Sequence, residues 1–239
     1  MFLRSNTPLG KYPKLLFPNR YLQKLFVTFE GNCSKLLWNE RAYQICIKMS
    51  NTCFSTYKVT GDRNEVYNLY ETIKKLDDLD IPLVKNNWYH SKLWLGCLVK
   101  ALKGDPNKIY CRGTITSYEF DNDVLTIITE TAWEEMAKTR HFIETCFPKI
   151  KIFYMEEEYG CERFYTNDAD GQFFKERYFL DACDKSTYFE TLNEASIYVE
   201  NIVNHKVKAT ILAIKNALSI YNKENDDDFS FYEFKVVHD

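Results

Sequence analysis

The sequence predicts an α+β protein: a split βαβ arrangement with one antiparallel sheet, helices on one face, and a long amphipathic helix near the C-terminus. Three observations lead there. Short β-branched and aromatic stretches alternate with segments of helical period in the order β-α-(α)-β-β-α-β. Clusters of Asn, Asp and Gly stand between neighbouring strand candidates. The 239 residues are 45% hydrophobic and 16% aromatic, which is enough for a sizeable core and too apolar for a disordered chain.

Residues 1–20 contain Pro8, Gly10 and Pro13 without any period and read as an arm, and residues 21–48 show no clean period. Together they form a basic N-terminal extension, residues 1–48. Met49-Ser-Asn-Thr-Cys53 resembles a start of translation, so the folded region is expected to begin at residue 49. Residues 53–60 read as a strand, ended by Gly61-Asp62. Asp62 and Glu65 form a capping box, followed by Val66, Leu69, Tyr70, Ile73 and Leu76 on one helical face.

A second helix is expected over about residues 88–103, stopped by Gly104 and Pro106. Residues 110–130 make the clearest hairpin, with Asp121-Asn122-Asp123 as its turn. Trp133, Met136, Ala137, Ile143 and Phe147 then predict a helix with Trp133 buried at its head, and residues 150–155 another strand. Residues 163–166 and 172–180 flank Asn167-Asp-Ala-Asp-Gly171 as a second hairpin. Past a possible capping box at Thr191 and Glu194, Val203, Val207, Ile211, Ile214, Leu218 and Tyr221 repeat at steps of three and four. That spacing predicts one helix of about 28 residues, about 42 Å long. Residues 229–237 read as a terminal strand.

This order of elements is the signature of a ferredoxin-like sandwich. Three sequence blocks add a resemblance. They are residues 49–62, then Cys111-Arg-Gly-Thr-Ile-Thr through Ile128-Thr-Glu-Thr-Ala-Trp133, and finally Glu157-Glu-Tyr-Gly-Cys-Glu162 with Tyr165-Thr-Asn-Asp-Ala-Asp-Gly171 and Arg177-Tyr-Phe179. Over residues 49–184 the chain resembles the YubB-type ferredoxin-like domains of phage, prophage and plasmid proteins. The resemblance implies the fold and a mobile-element origin, and it carries no catalytic residues. It leaves residues 1–48 and a C-terminal part, residues 185–239, outside it.

The net charge of −3 is unevenly spread. Residues 1–48 hold eight Lys or Arg against two acids, so the other 191 residues carry −9. Residues 153–184 alone hold nine acids against three basic residues. Most of the protein therefore repels a phosphate backbone, which disfavours nucleic acid as the partner. No apolar run approaches the roughly 18 residues of a membrane span. Without an export-like leader, a cytoplasmic protein with reduced thiols is expected.

The eight cysteines contain no CxxC pair, and no HExxH, GxSxG or Walker A segment occurs. Cys161 next to the run Glu156-Glu-Glu158 lacks a histidine in recognisable context, and His141 and Cys146 lie five apart rather than four. Asp168-x-Asp170-Gly171 faintly matches a calcium loop, but Arg177 would fall where the twelfth-position carboxylate is required. Tyr110, Tyr118, Phe153, Tyr154, Phe164 and Tyr165 lie on expected strands without an RNP1 pattern and read as packing. No cofactor, metal or catalytic residue is therefore assigned. The expected role is non-enzymatic binding to a protein with a basic surface through Glu156, Glu157, Glu158, Asp168 and Asp170. A host defence nuclease, blocked in the manner of an anti-CRISPR, would be such a partner. A nucleic-acid-binding accessory protein using residues 1–48, and an enzyme of unassigned reaction, stand as alternatives.

Overall fold

The computed structural model describes residues 52–182 and 186–238, so the basic extension, the Met49 segment and Cys183 lie outside the described residues. β1 (Thr52–Gly61) alternates strictly, burying Cys53, Ser55, Tyr57 and Val59 on one face. It ends at Gly61, whose φ of +130° suits only glycine and where a Cβ would lie 2.2 Å from Lys149 O. Asp62 caps α1 (Arg63–Asp77) by accepting from the amides of Asn64 and Glu65. The Glu65 carboxylate does not complete the expected box. It accepts from Lys149 N at 2.9 Å, tying the start of the helix to the residue that precedes the strand paired with β1.

α2 (Leu95–Ala101) is shorter than the spacing suggested. Residues 86–94 are drawn away from helix by other bonds. Asn86 Oδ1 accepts from the amides of Trp88 and Tyr89, and Leu93 O accepts from Ile115 N while Trp94 bridges Thr114. β2 (Gly113–Asp121) and β3 (Val124–Ala132) form the expected hairpin, with Asn122 and Asp123 both at positive φ as a tight two-residue turn requires. α3 (Ala137–Cys146) starts later than expected, because β3 runs on to Ala132 and Trp133 turns the chain at φ 75°. Trp133 is 48% exposed, so it does not head the helix as a core residue.

β4 (Ile150–Glu158) pairs with β1, and β5 (Arg163–Thr166) folds back on β4. The expected hairpin between residues 163–166 and 172–180 does not form. β6 (Tyr178–Asp181) instead pairs with β7 (Thr187–Phe189) and β8 (Ser230–Glu233) in a separate sheet. The expected terminal strand is split, since Phe234 N donates to Arg177 O between β8 and the short β9 (Lys235–Val236). The long helix is likewise two: α4 (Leu192–Val203) and α5 (Ile211–Asn225). Asn204 ends α4 in the left-handed region, and Thr210 Oγ1 caps α5 at Ala213 N. Val207 keeps the apolar period because it is buried in the same core, although it is not helical.

The protein is thus α+β, with five described helices around two sheets. The large sheet has the order β2-β3-β1-β4-β5-β9 and is mixed rather than antiparallel, because β9 runs parallel to β5. α1, α2 and α3 cover one of its faces over a core that includes Val59, Leu69, Leu98, Leu125 and Ile152. The small sheet, β7-β6-β8, lies against the opposite face at the β4–β5 side. There Phe164, Phe179, Tyr232 and Phe234 pack together, with Phe164 and Tyr232 stacked at 4.3 Å. Its outer face carries α4 and α5 over Leu180, Val199, Ile214, Leu218 and Phe231. Pairing of β5 with β9 and of β6 with β8 runs across the expected boundary at residue 184, so residues 186–238 are woven into the preceding part.

Candidate functional site

The five acids proposed as one exposed surface do not form one. Glu156 and Glu158 are each 1% exposed and Asp168 is fully buried, while Glu157 is half-buried and Asp170 is exposed. Glu158 closes the β4–β5 turn, its oxygens accepting from Gly160 N at 3.0 Å and Cys161 N at 2.6 Å. Asp168 accepts from Gln172 N, Phe173 N and Phe174 N at 2.9, 2.7 and 2.9 Å, which holds its carboxyl below the ordinary range despite burial. That role replaces any calcium reading of the loop. Arg177 completes it by donating to Asp168 O and Phe174 O.

Glu156 belongs to a buried network under the turn that joins β3 to α3. Its Oε2 accepts from Glu135 N at 2.6 Å and Cys53 Sγ at 3.6 Å, and Oε1 from Arg163 Nη2 at 3.2 Å. Glu135 Oε1 takes a forked bond from Arg140, and Oε2 accepts from Tyr57 OH at 3.2 Å. Burial pushes the Glu135 carboxyl up to about 7 against the pull of Arg140. The Cys53 thiol is pushed up to about 12 by burial and by the Glu156 charge. A thiol so hard to ionise, in a sealed site, is no nucleophile. The network fixes the turn bearing Trp133 and reads as structural.

Another group of carboxylates gathers where the two sheets meet. Glu157, on the face of β4 opposite to Glu156, accepts from Tyr159 OH at 2.9 Å and Tyr188 OH at 2.8 Å. Asp181 ends β6 beside it and accepts from Ser186 Oγ at 3.2 Å. Burial raises both carboxyls, and like charge adds to this, from Asp181 on Glu157 and from Asp228 on Asp181. Burial and the same acids, Glu157 and Asp181, also push up the Tyr188 hydroxyl. Among the described residues no cation acts on Glu157 or Asp181. Tyr188 remains 41% exposed, whereas the Tyr232 ring is stacked on Phe164 and has Lys215 Nζ 5.9 Å from its centroid.

Of this patch the sequence reading named only Glu157. Asp181 and Asp228 are far apart in sequence and meet because Asp181 pairs with Ser230 across β6 and β8, a register that spacing alone does not show. Half-buried carboxylates beside the exposed Tyr188 can accept a lysine or arginine side chain, which would meet both opposite charge and a π-face. Among the described cysteines, Cys53, Cys97 and Cys111 are buried, Cys146 is half-buried and Cys161 is exposed, and burial raises the Cys161 thiol with Glu158 adding to it. Among the described residues no group of three His, Cys, Asp or Glu could hold a metal, and no helix is long and apolar enough to cross a membrane. No family model, curated protein or solved structure matches the chain.

Proposed function

We propose that the protein acts by binding another protein that presents basic side chains, and that it does so at the Glu157–Asp181–Asp228 patch. The observation that carries this reading is a set of carboxylates held partly out of water beside exposed tyrosine, with no cation among the described residues to answer them. An acidic excess outside residues 1–48 steers such a partner from a distance. The arrangement of residues 52–158 supports a ferredoxin-like core, since β1 to β4 lie in the order β2-β3-β1-β4 with antiparallel pairing and helices after β1 and β3. The resemblance to phage and plasmid domains narrows the partner to a host defence nuclease, whose nucleic-acid channel an acidic patch would occupy.

The test is a triple substitution, Glu157→Gln, Asp181→Asn and Asp228→Asn, in the full chain. Pull-downs from nuclease-treated host lysate are compared for wild type and variant, with thermal melts of both. A single partner held by wild type, lost by a variant of unchanged melting temperature and eluted by moderate salt, supports the reading. Equal capture by both proteins, or a catch that disappears on nuclease treatment, overturns it.

A further inference from the structure

β5 is too short for the edge it lies on. Its register with β4 ends at Met155 opposite Thr166, whereas β4 extends back to Ile150. Side chains complete that edge in place of a strand. Thr166 Oγ1 donates to Tyr154 O at 2.7 Å, and Asn167 accepts from Tyr154 N at 2.8 Å while donating to Ile152 O at 3.0 Å. Glu144 Oε1 accepts from Ile152 N at 3.2 Å. With these backbone groups satisfied, no strand is needed and a notch remains. It is a pocket of about 250 Å³ between Lys151 and Phe153 on β4, residues 167–170, and Val237 with His238 beyond β9.

The walls of the notch are held. Asp168 and Arg177 fix the loop through backbone bonds, and Val237 N donates to Thr166 O at 2.9 Å. Phe153 is buried, and Lys151 Nζ sits 4.3 Å from its ring centroid. The Asp168 carboxylate on the wall is taken up by three backbone amides, which leaves Lys151 and Asp170 as exposed charges of opposite sign that form no ion pair with each other. A simple anion would meet Asp170 and a simple cation would meet Lys151. A ligand carrying both charges satisfies both. The volume lies just under the ~300 Å³ at which pockets for drug-sized molecules begin.

We propose that this notch binds a small zwitterion with an apolar side chain, a free α-amino acid or a dipeptide. Lys151 takes its carboxylate, Asp170 takes its ammonium, and Phe153 and Val237 receive its side chain. This is independent of the acidic patch and of the protein partner.

The experiment is calorimetric titration of the full chain with L-leucine, L-phenylalanine and glycyl-L-leucine, using N-acetyl-leucine and leucinamide as probes that each lack one charge. Saturable binding of an amino acid or of the dipeptide is expected, and whichever binds more tightly identifies the source. Each capped analogue should bind about tenfold more weakly or worse, since each loses one charge-assisted contact. Lys151→Met and Asp170→Asn should weaken binding by a similar factor with unchanged melting of the free protein, because both side chains are exposed. No saturable binding up to about 10 mM, equal binding of capped and uncapped probes, or unaltered affinity in both variants would overturn the proposal.

Discussion

Replacing Asp168 removes a side chain that, together with Arg177, holds the 167–177 loop. Its carboxylate receives three backbone amides at 2.7–2.9 Å and is fully buried. A buried amide left without an acceptor costs about 1–3 kcal/mol. Asp168→Ala strands three of them, but the neighbouring Ala169 and Asp170 are exposed, so water can reach part of the loop. The low end of the range applies, giving about 3 kcal/mol. In a chain of this size that lowers Tm by about 6–12 °C. Asp168→Asn keeps one acceptor oxygen and should lose about half as much. The carboxyl is depressed in the folded state, so its contribution is complete above the ordinary carboxylate range. It is lost as pH falls through the folded value, and the gap between wild type and Asp168→Asn must narrow in acid. Circular-dichroism melts at pH 7 and at about pH 3 measure both effects. A fall of under about 2 °C for Asp168→Ala at pH 7, or a gap that is constant with pH, would refute the capping role.

Other positions give sharper local tests. Gly61→Ala places a methyl 2.2 Å from Lys149 O at φ +130°, so soluble protein should lose at least about 3 kcal/mol in urea titration, and a loss under about 1 kcal/mol would contradict the backbone described. Glu135 is raised when folded, so its favourable contribution is present at low pH and lost as pH rises through about 7. Wild-type stability should therefore climb from pH 8 to pH 5 more than that of Glu135→Gln, and parallel profiles in urea would disprove this. Trp133→Ala should cost well below the about 3–5 kcal/mol of a buried tryptophan, because the ring is half exposed. Trp133→Gly should melt at or above the alanine variant, since glycine is the residue at ease at φ 75°. A glycine variant clearly below alanine would remove strain from the account.

The elements most legible in the sequence were those whose signal is local. β1, the β2–β3 hairpin and α1 follow from aromatic and β-branched composition, the Asp121-Asn122-Asp123 turn and the Asp62 cap. What failed were inferences that continued a pattern past its punctuation. Val207 sits in register with the helices on either side and is buried with them, so spacing ran α4 and α5 together. The punctuation was present in Asn204 and Thr210, residues that favour a left-handed stop and an N-cap, but an apolar period outweighed them. The 172–180 segment has strand-like composition on one side of a turn-like cluster. It pairs elsewhere because Asp168 spends its carboxylate on the amides of residues 172–174, a commitment that composition cannot reveal.

The alternation of a strand already argues against one acidic surface at residues 156–158. Three successive glutamates on a strand cannot share a face, because side chains alternate with period two. Glu156 and Glu158 must turn one way and Glu157 the other. In β4 the first pair points to the side bearing Cys53 and Arg163, where one accepts buried donors and the other closes a turn. Glu157 alone turns toward the small sheet, where Tyr188 meets it. Neutralising all three together, as their adjacency invites, would therefore confound folding with binding. Glu156→Gln should lower Tm, because it leaves Arg163 and the Glu135 amide facing a weaker acceptor. Glu157→Gln keeps an acceptor for one tyrosine hydroxyl and removes only a charge already crowded by Asp181, so Tm should hold or rise. If it is the patch that recruits a basic partner, the second variant alone should weaken capture at low salt while remaining fully folded. Acid should mimic it at a higher pH than for ordinary carboxylates, because burial has raised Glu157 and Asp181. Capture that is indifferent to Glu157→Gln, and that acid weakens no earlier than it would for ordinary carboxylates, would place the interface elsewhere.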